Sequence, residues 1–272
     1  MRSRTLKLLL VMFASAGCHT RAIAAPPAWR RVVLVELFTS QGCSSCPPAD
    51  AFLRELPALG LGRDKVVPLA FHVNYWDGLG WKDPFATAAF TERQRTYARS
   101  GTLRSPDGAS GIDGLYTPQM IVDGRVHFSG QRRQDALREI ELAAMRAPAF
   151  DLVASGTIHG STIDVVVTGL DRGHANSDAS WRVVVALAAT RTRTPVARGE
   201  NAGETLDEAA VVRALSESMP LARAAQRPIT LRLDKPADLP WSSTEIVVFV
   251  QSERTGDVGA ASVLDPKQLT TR

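Results

Sequence analysis

The chain has 272 residues, 44% of them hydrophobic and 22% charged, with a mean hydropathy of −0.06. That composition excludes a disordered, collagen-like or disulfide-dense chain and predicts one large or two small domains, each able to bury a core. The formal charge is +4, but Arg2, Arg4, Lys7 and Arg21 all precede Ala25, where no acid stands; the other 28 basic residues match the 28 acidic ones, so no nucleic-acid partner is expected.

The first elements read as a secretory leader over 1–24. A positive stretch, 1–7, precedes nine apolar or small residues, 8–16, and Ala22 and Ala24 form an Ala-x-Ala cleavage site. The apolar stretch is about half of the ~20 residues a membrane span needs, so no transmembrane span is expected. Cleavage predicts a periplasmic or secreted protein. Ser15-Ala16-Gly17-Cys18 imperfectly matches a bacterial lipobox and offers a lipid anchor at Cys18 as the alternative. Past Ala24 only Cys43 and Cys46 remain, an even number suited to an oxidising compartment.

Strands and helices alternate from Arg30 onward. The run 32–38 is nearly continuous in apolar, branched residues and predicts a strand buried on both faces. Helical spacing of Phe52, Leu53, Leu56 and Leu59 predicts a helix over 49–61, and 66–73 a second buried strand. An insertion, about 75–114, holds a helix expected from Asp83-Pro84 to about Ala98, followed by a loop rich in Gly, Ser, Asp and Pro. A third strand, 120–122, turns at Asp123-Gly124 into a return strand, 126–128, and a helix over 131–146 follows. The texture then becomes β: strands at 150–158 and 162–167 flank a turn, with others at 181–189, 229–233 and 245–251, and a short helix over 206–216. This pattern predicts an α/β domain over 30–147 and a β-rich, sandwich-like domain over 150–272.

Chemistry concentrates at Cys43-Ser44-Ser45-Cys46, between a buried strand and a helix. Two thiols at this spacing can close a small disulfide ring, and a nearby helix N-terminus favours the thiolate of the first. Cys43 would attack and Cys46 resolve. The same pair fits half a metal site, but no second cysteine pair exists, and His72 and His127 read as strand residues. No cofactor and no resident metal are expected. Downstream, Pro118 stands just before a buried strand, where a proline needs a special turn; a cis bond is one solution, an ordinary trans edge proline the other.

The Cys-x-x-Cys pair followed by Thr117-Pro118, strand, turn, strand and helix resembles the thioredoxin superfamily. That resemblance implies a thioredoxin-like fold with a helical insertion, and substrate contacts from Thr117 and Pro118. More closely, the segments 36–50, 72–77, 80–85 and 198–203 are similar to an uncharacterised family of secreted bacterial thioredoxin-like proteins, across nearly the whole mature chain, with no substrate to carry over. Gly42 replaces the tryptophan usual before the first cysteine, and Pro47-Pro48 removes two backbone donors and disfavours helix at Cys46, so the helix is expected to begin at Pro47 with Cys43 outside it.

Glu36, a carboxylate within an apolar strand seven residues before Cys43, reads equally as a proton relay for Cys46 or as a structural ion pair. Trp76, Trp81, Phe85, Phe90 and Tyr97 read as packing for the insertion rather than as a peptide-binding surface. Arg198, Glu200 and Asn201 read as a solvated turn, with a contact at the active-site rim as the alternative. The function expected is thiol–disulfide exchange with protein thiols or disulfides. The rivals are a copper-handling protein using Cys43 and Cys46, with Met120 or His72, and a non-enzymatic binding module with a structural disulfide.

Overall fold

Seven consecutive buried residues make β1 (Val33–Thr39), and its alternation divides two cores. Val33, Val35 and Leu37 face the helices α1 (Pro47–Glu55) and α3 (Arg133–Ala144), while Leu34 and Phe38 join a separate core lined by Phe90 and Tyr97 of α2 (Ala88–Ser100). β2 (Val66–His72) pairs in parallel with β1, and β3 (Gln119–Val122) lies antiparallel on the other side, followed by β4 (Val126–Ser129). Full burial of Phe38, Phe52 and Phe71 contributes roughly 1.5–3 kcal/mol per side chain. This computed structural model describes residues 29–109, 111, 114–173, 180–221, 227–264 and 269–272. The leader and Cys18 lie outside the described residues.

The remaining elements are β5 (Phe150–His159), β6 (Thr162–Asp171), β7 (Trp181–Pro195), β8 (Thr205–Leu215), β9 (Met219–Pro220), β10 (Ile229–Asp234), β11 (Thr244–Ser252), β12 (Val258–Val263) and β13 (Leu269–Thr271). One sheet runs β12-β11-β7-β8-β2-β1-β3-β4, with β9 beside β7. It is continuous because β8 adds to the free edge of β2, Ala70 opposite Val211. The sheet curls until β12 lies against β1 and β2, and the Val258 N–H donates to the Asp123 carbonyl at 3.0 Å. A second sheet, β10-β6-β5-β13, packs on the other face of β7, β11 and β12 through Ile163, Val165, Val183, Val185 and Val248.

The expected α/β thioredoxin-like domain with a helical insertion, followed by a β-rich sandwich-like domain, is corrected by this arrangement. Of the described residues 43% lie in strands and 19% in helices, so the chain is mostly β, with two sheets and few helices. Two local expectations changed with it. The stretch over 206–216 is strand β8 rather than helix, because its partner β7 supplies a ladder that overrides local propensity. The helix of the insertion starts at Ala88, not at Asp83: Thr87 caps it by accepting the Phe90 N–H at 3.2 Å, and Gly101 ends it at φ 63°. Asp83 is instead buried and enters the site described below.

The Asp123-Gly124 turn forms as expected, with both residues at positive φ, 48° and 66°. It is also a contact point, since a Cβ on Gly124 would lie 1.9 Å from the Gly256 carbonyl oxygen. Asp123 Oδ1 accepts the Leu34 N–H at 2.9 Å, and Oδ2 pairs with Arg146 at 2.8 Å and Arg31 at 3.4 Å.

Candidate functional site

The chain leaves β1 at Thr39 and makes two tight turns before α1. The Cys43 N–H donates to the Ser40 carbonyl at 3.1 Å, and the Cys46 N–H to the Cys43 carbonyl at 3.2 Å. Cys46 is the residue flanking α1, whose first two positions are Pro47 and Pro48; proline suits these positions because their N–H groups would have no intrahelical acceptor. Cys43 and Cys46 form a disulfide with Cα atoms 5.4 Å apart. Both cysteines have 0% exposure, while Ser44 and Ser45 between them are exposed. Ser45 Oγ lies 3.3 Å from Cys43 Sγ, and Gln131 Nε2 donates to the Ser45 carbonyl at 2.7 Å.

Behind the disulfide lies a buried ionisable cluster drawn from α1, β2, β8 and the segment before α2. Asp50, one turn past Cys46, accepts from the Thr39 hydroxyl at 3.2 Å, and its Oδ1 has no hydrogen-bond partner among the described residues. His72 Nδ1 is 2.7 Å from Asp83 Oδ2, and its Nε2 is 3.8 Å from Glu208 Oε1. Asp83 also accepts the Gln41 N–H at 2.8 Å, and Glu208 accepts from Gln41 Nε2 at 2.7 Å and the Thr192 hydroxyl at 3.2 Å. Gln41, two residues before Cys43, therefore ties the cysteine turn to two acids of the cluster.

The electrostatics follow from burial and from these neighbours. Burial, reinforced by the Glu208 charge, pushes the Asp50 carboxyl up to about 8, against the opposing His72 and Thr39. Burial alone would lower His72, but Asp83 and Glu208 outweigh it and hold the imidazole up at about 9. Burial would raise Asp83, yet His72 and the N–H groups of Gln41 and Phe85 keep it below the usual carboxylate range. Burial raises Glu208. The cluster therefore holds an Asp50 that exchanges its proton near neutral pH, beside a His72–Asp83 ion pair.

The residues singled out in the sequence fall in different places. The Thr117-Pro118 peptide is cis, and Thr117 Oγ1 accepts from Trp76 Nε1 at 2.9 Å. Gly42 packs on Trp76, an added Cβ meeting Trp76 Cβ at 3.2 Å, and Gly130 separates Ala49 of α1 from Pro118. The structure thus brings Thr117 and Pro118 beside the cysteine turn and the first turn of α1. Glu36 is on the other face of β1, where Arg93 Nε donates to it at 2.6 Å and the Tyr97 hydroxyl donates to its other oxygen. Gln251 of β11 bonds both partners, accepting from Arg93 at 3.0 Å and donating to Tyr97 at 2.6 Å. The structure does not bring Glu36 to the sulfurs.

Phe90 and Tyr97 are core, whereas Trp76 and Trp81 hydrogen-bond to the site, Trp81 Nε1 donating to Gln41 Oε1 at 3.2 Å. Met120 is buried against α1 and α3, and His127 meets the Tyr116 hydroxyl at 2.9 Å. Among the described residues no group of three or more His, Cys, Asp or Glu side chains is arranged to hold a metal ion. No described helix is long and apolar enough to cross a membrane.

Asp50 and Glu208 escaped the sequence reading. Asp50 carried a signal, since positions 46, 50 and 53 share one face of the helix that begins at Pro47. Glu208 carried none once its strand was read as helix. Asn201 donates through Nδ2 to the carbonyls of Gln41 and Cys43, at 2.9 and 3.1 Å, where a solvated turn was expected.

An oxidised Cys-x-x-Cys pair set on a buried ionisable cluster, in a mostly β chain of two sheets, is thus the feature to be placed among known proteins. The chain belongs to the family described as protein of unknown function (DUF1223), which matches residues 34–251. A crystal structure of an Agrobacterium tumefaciens protein is 28% identical, covers 87% of this chain and 96% of its own, and superposes with a TM-score of 0.60. HBP35 of Porphyromonas gingivalis shares the fold at 13% identity and a TM-score of 0.62, over 90% of this chain and 78% of its own. No curated protein matches the chain.

Proposed function

We infer that the protein exchanges disulfides with protein thiols outside the cytoplasm, through Cys43 and Cys46. The observation that carries this reading is the Cys43–Cys46 disulfide at the start of α1, with a buried Asp50 poised near neutral pH one turn further on. A leader over 1–24 and an even cysteine count support the oxidising compartment.

The step balances as follows. A partner thiolate attacks Cys43 Sγ, forming a partner–Cys43 bond and breaking the Cys43–Cys46 bond; Cys46 leaves as a thiolate and takes the proton of Asp50. A second partner thiol then loses its proton and attacks the partner sulfur of the mixed disulfide, forming the partner disulfide and breaking the partner–Cys43 bond; Cys43 leaves as a thiolate and takes up a proton from solvent, and Asp50 regains its own in the same way. The partner dithiol is oxidised to a disulfide, and the cysteine pair is reduced. In the reverse direction the Cys43 thiolate attacks a partner disulfide and Cys46 resolves. Thr117 and Pro118 would flank the partner chain. The relay role is assigned to Asp50 rather than to Glu36, because Glu36 is committed to Arg93 and Tyr97.

A static staple is the second reading, favoured by the complete burial of both cysteines. Equilibration in dithiothreitol and glutathione redox buffers decides between them, with insulin reduction and scrambled-substrate oxidation run in parallel. Reversible reduction of the native protein is expected; a disulfide that opens only on unfolding would leave the staple.

A further inference from the structure

We propose that the loop joining β7 to β8 is the positioning element of the cysteine pair, with Asn201 fixing the Cys43 turn and Glu200 setting a negative charge on the Ser44 N–H, next in the chain to Cys43. The proposal rests on the exchange reading above and adds to it residues more than 150 positions away in sequence.

The loop is built for contact. It is closed internally, the Gly203 N–H donating to the Val196 carbonyl at 2.8 Å and the Glu204 N–H to the Asn201 carbonyl at 3.1 Å. Gly199, at φ 81°, lets its backbone approach Trp81, where a Cβ would come within 3.0 Å of Trp81 Cβ. Asn201 is only 7% exposed, and its single amide nitrogen spans two carbonyls of the turn. Asn201 therefore fixes the spacing of residues 41 and 43 from a different strand pair, and a shift of the loop moves the attacking cysteine.

Glu200 acts on charge. Its Oε2 accepts the Ser44 N–H at 2.9 Å. Backbone donors are few at this turn, because the Cys46 N–H is spent on the Cys43 carbonyl and Pro47 and Pro48 have none, while the Ser45 hydroxyl lies 3.3 Å from Cys43 Sγ. A thiolate on Cys43 draws stability from such N–H groups and loses it to a neighbouring carboxylate. The ionisable groups around the turn are Asp50 from α1, His72 from β2, Glu208 from β8, Asp77 and Asp83 from the segment before α2, and Glu200. Among the described residues the carboxylates bonded directly to residues 41–44 are Asp83 and Glu208, which are buried, and Glu200, which is exposed, so Glu200 can be changed without opening the core.

The test uses the full chain, reduced in denaturant and refolded, with the pH dependence of Cys43 alkylation by iodoacetamide followed by peptide mapping. Glu200→Gln keeps a hydrogen-bond acceptor and removes the charge. Its alkylation profile is expected to move to lower pH by roughly half a unit, giving about threefold faster labelling near neutrality. Glu204→Gln, an exposed change of the same net charge in the same loop, is expected to leave the profile in place. Asn201→Ala is expected to speed reduction of the native disulfide by dithiothreitol several-fold. An unmoved Glu200→Gln profile, or an equal shift in Glu204→Gln, overturns the charge role; an unchanged Asn201→Ala reduction rate overturns the positioning role. A wild-type disulfide inert to dithiothreitol in the native state defeats the exchange reading instead, and the alkylation profiles of the refolded dithiol still decide Glu200.

Discussion

The Asp50 N–H donates to the Cys46 carbonyl at 3.2 Å, which sets a buried carboxyl one helical turn past a disulfide-bonded cysteine, its Oδ1 without a hydrogen-bond partner among the described residues. Residues four apart on a helix share a face and lie about 5–6 Å apart at Cβ, so a proton released or taken up by Cys46 has a nearby site.

Asp50→Asn keeps the shape and removes the titrating group. Dithiothreitol reduction of the wild type is expected to show an inflection near pH 8 beyond that of the reagent, and the variant to lose it. Stopped-flow reduction across pH 6–10 measures this. Superimposable wild-type and variant profiles would remove Asp50 from the reaction.

Stability is expected to fall as pH rises through the neutral range. His72 is raised from 6.5 to about 9, so its contribution is fully present below pH 6.5 and is lost as pH climbs through 9. Asp50 keeps its proton in the folded state up to about 8 while the unfolded chain loses it near 3.8, so it too lowers stability as pH rises between those values. Urea unfolding of wild type and His72→Asn across pH 6–10 is expected to give curves that converge at high pH. A constant gap between them would contradict the His72–Asp83 ion pair.

Glu36→Gln removes the charge paired with Arg93, whose guanidinium also lies 5.2 Å from the Phe71 ring centroid. Side-chain exposures of 13% for Arg93 and 1% for Glu36 place the loss at the lower end for a buried pair, about 3 kcal/mol. Chemical denaturation reads it. Exchange at Cys43 is expected to be unchanged, and a slowed resolution step with intact stability would return Glu36 to the reaction.

Gly124→Ala places a methyl group 1.9 Å from the Gly256 carbonyl oxygen at a positive φ. The two turns must separate, at a cost of about 1–3 kcal/mol in backbone strain alone. A thermal midpoint unchanged by this substitution would show that the β11–β12 turn yields freely.

Much of the site was legible locally and little of its surroundings was. β1, α1, the Asp123-Gly124 turn and the β5–β6 hairpin follow from alternation, helical spacing and turn chemistry within one stretch of chain. The joining of β8 to β2 is not written in either strand, because a run such as Ala209-Ala210-Val211-Val212 suits helix or strand until a partner is chosen. Glu208 was therefore invisible as a neighbour of the cysteine turn, whereas the Asn201 loop offered a contact at its rim only as the alternative to a solvated turn. Asp83 was read from its own sequence as a helix cap; its Oδ1 does accept the local Phe85 N–H, but its Oδ2 is taken by Gln41, just past β1, and by His72 of β2.

Because β8 hydrogen-bonds to β2 and supplies Glu208, the gene cannot be shortened at the change of texture near residue 147 without two injuries. The shortened product would carry β2 as a bare edge, a template for self-association, and its His72 would lose the neighbouring Glu208 carboxylate. Insertions between residues 66 and 211 must keep these two strands side by side.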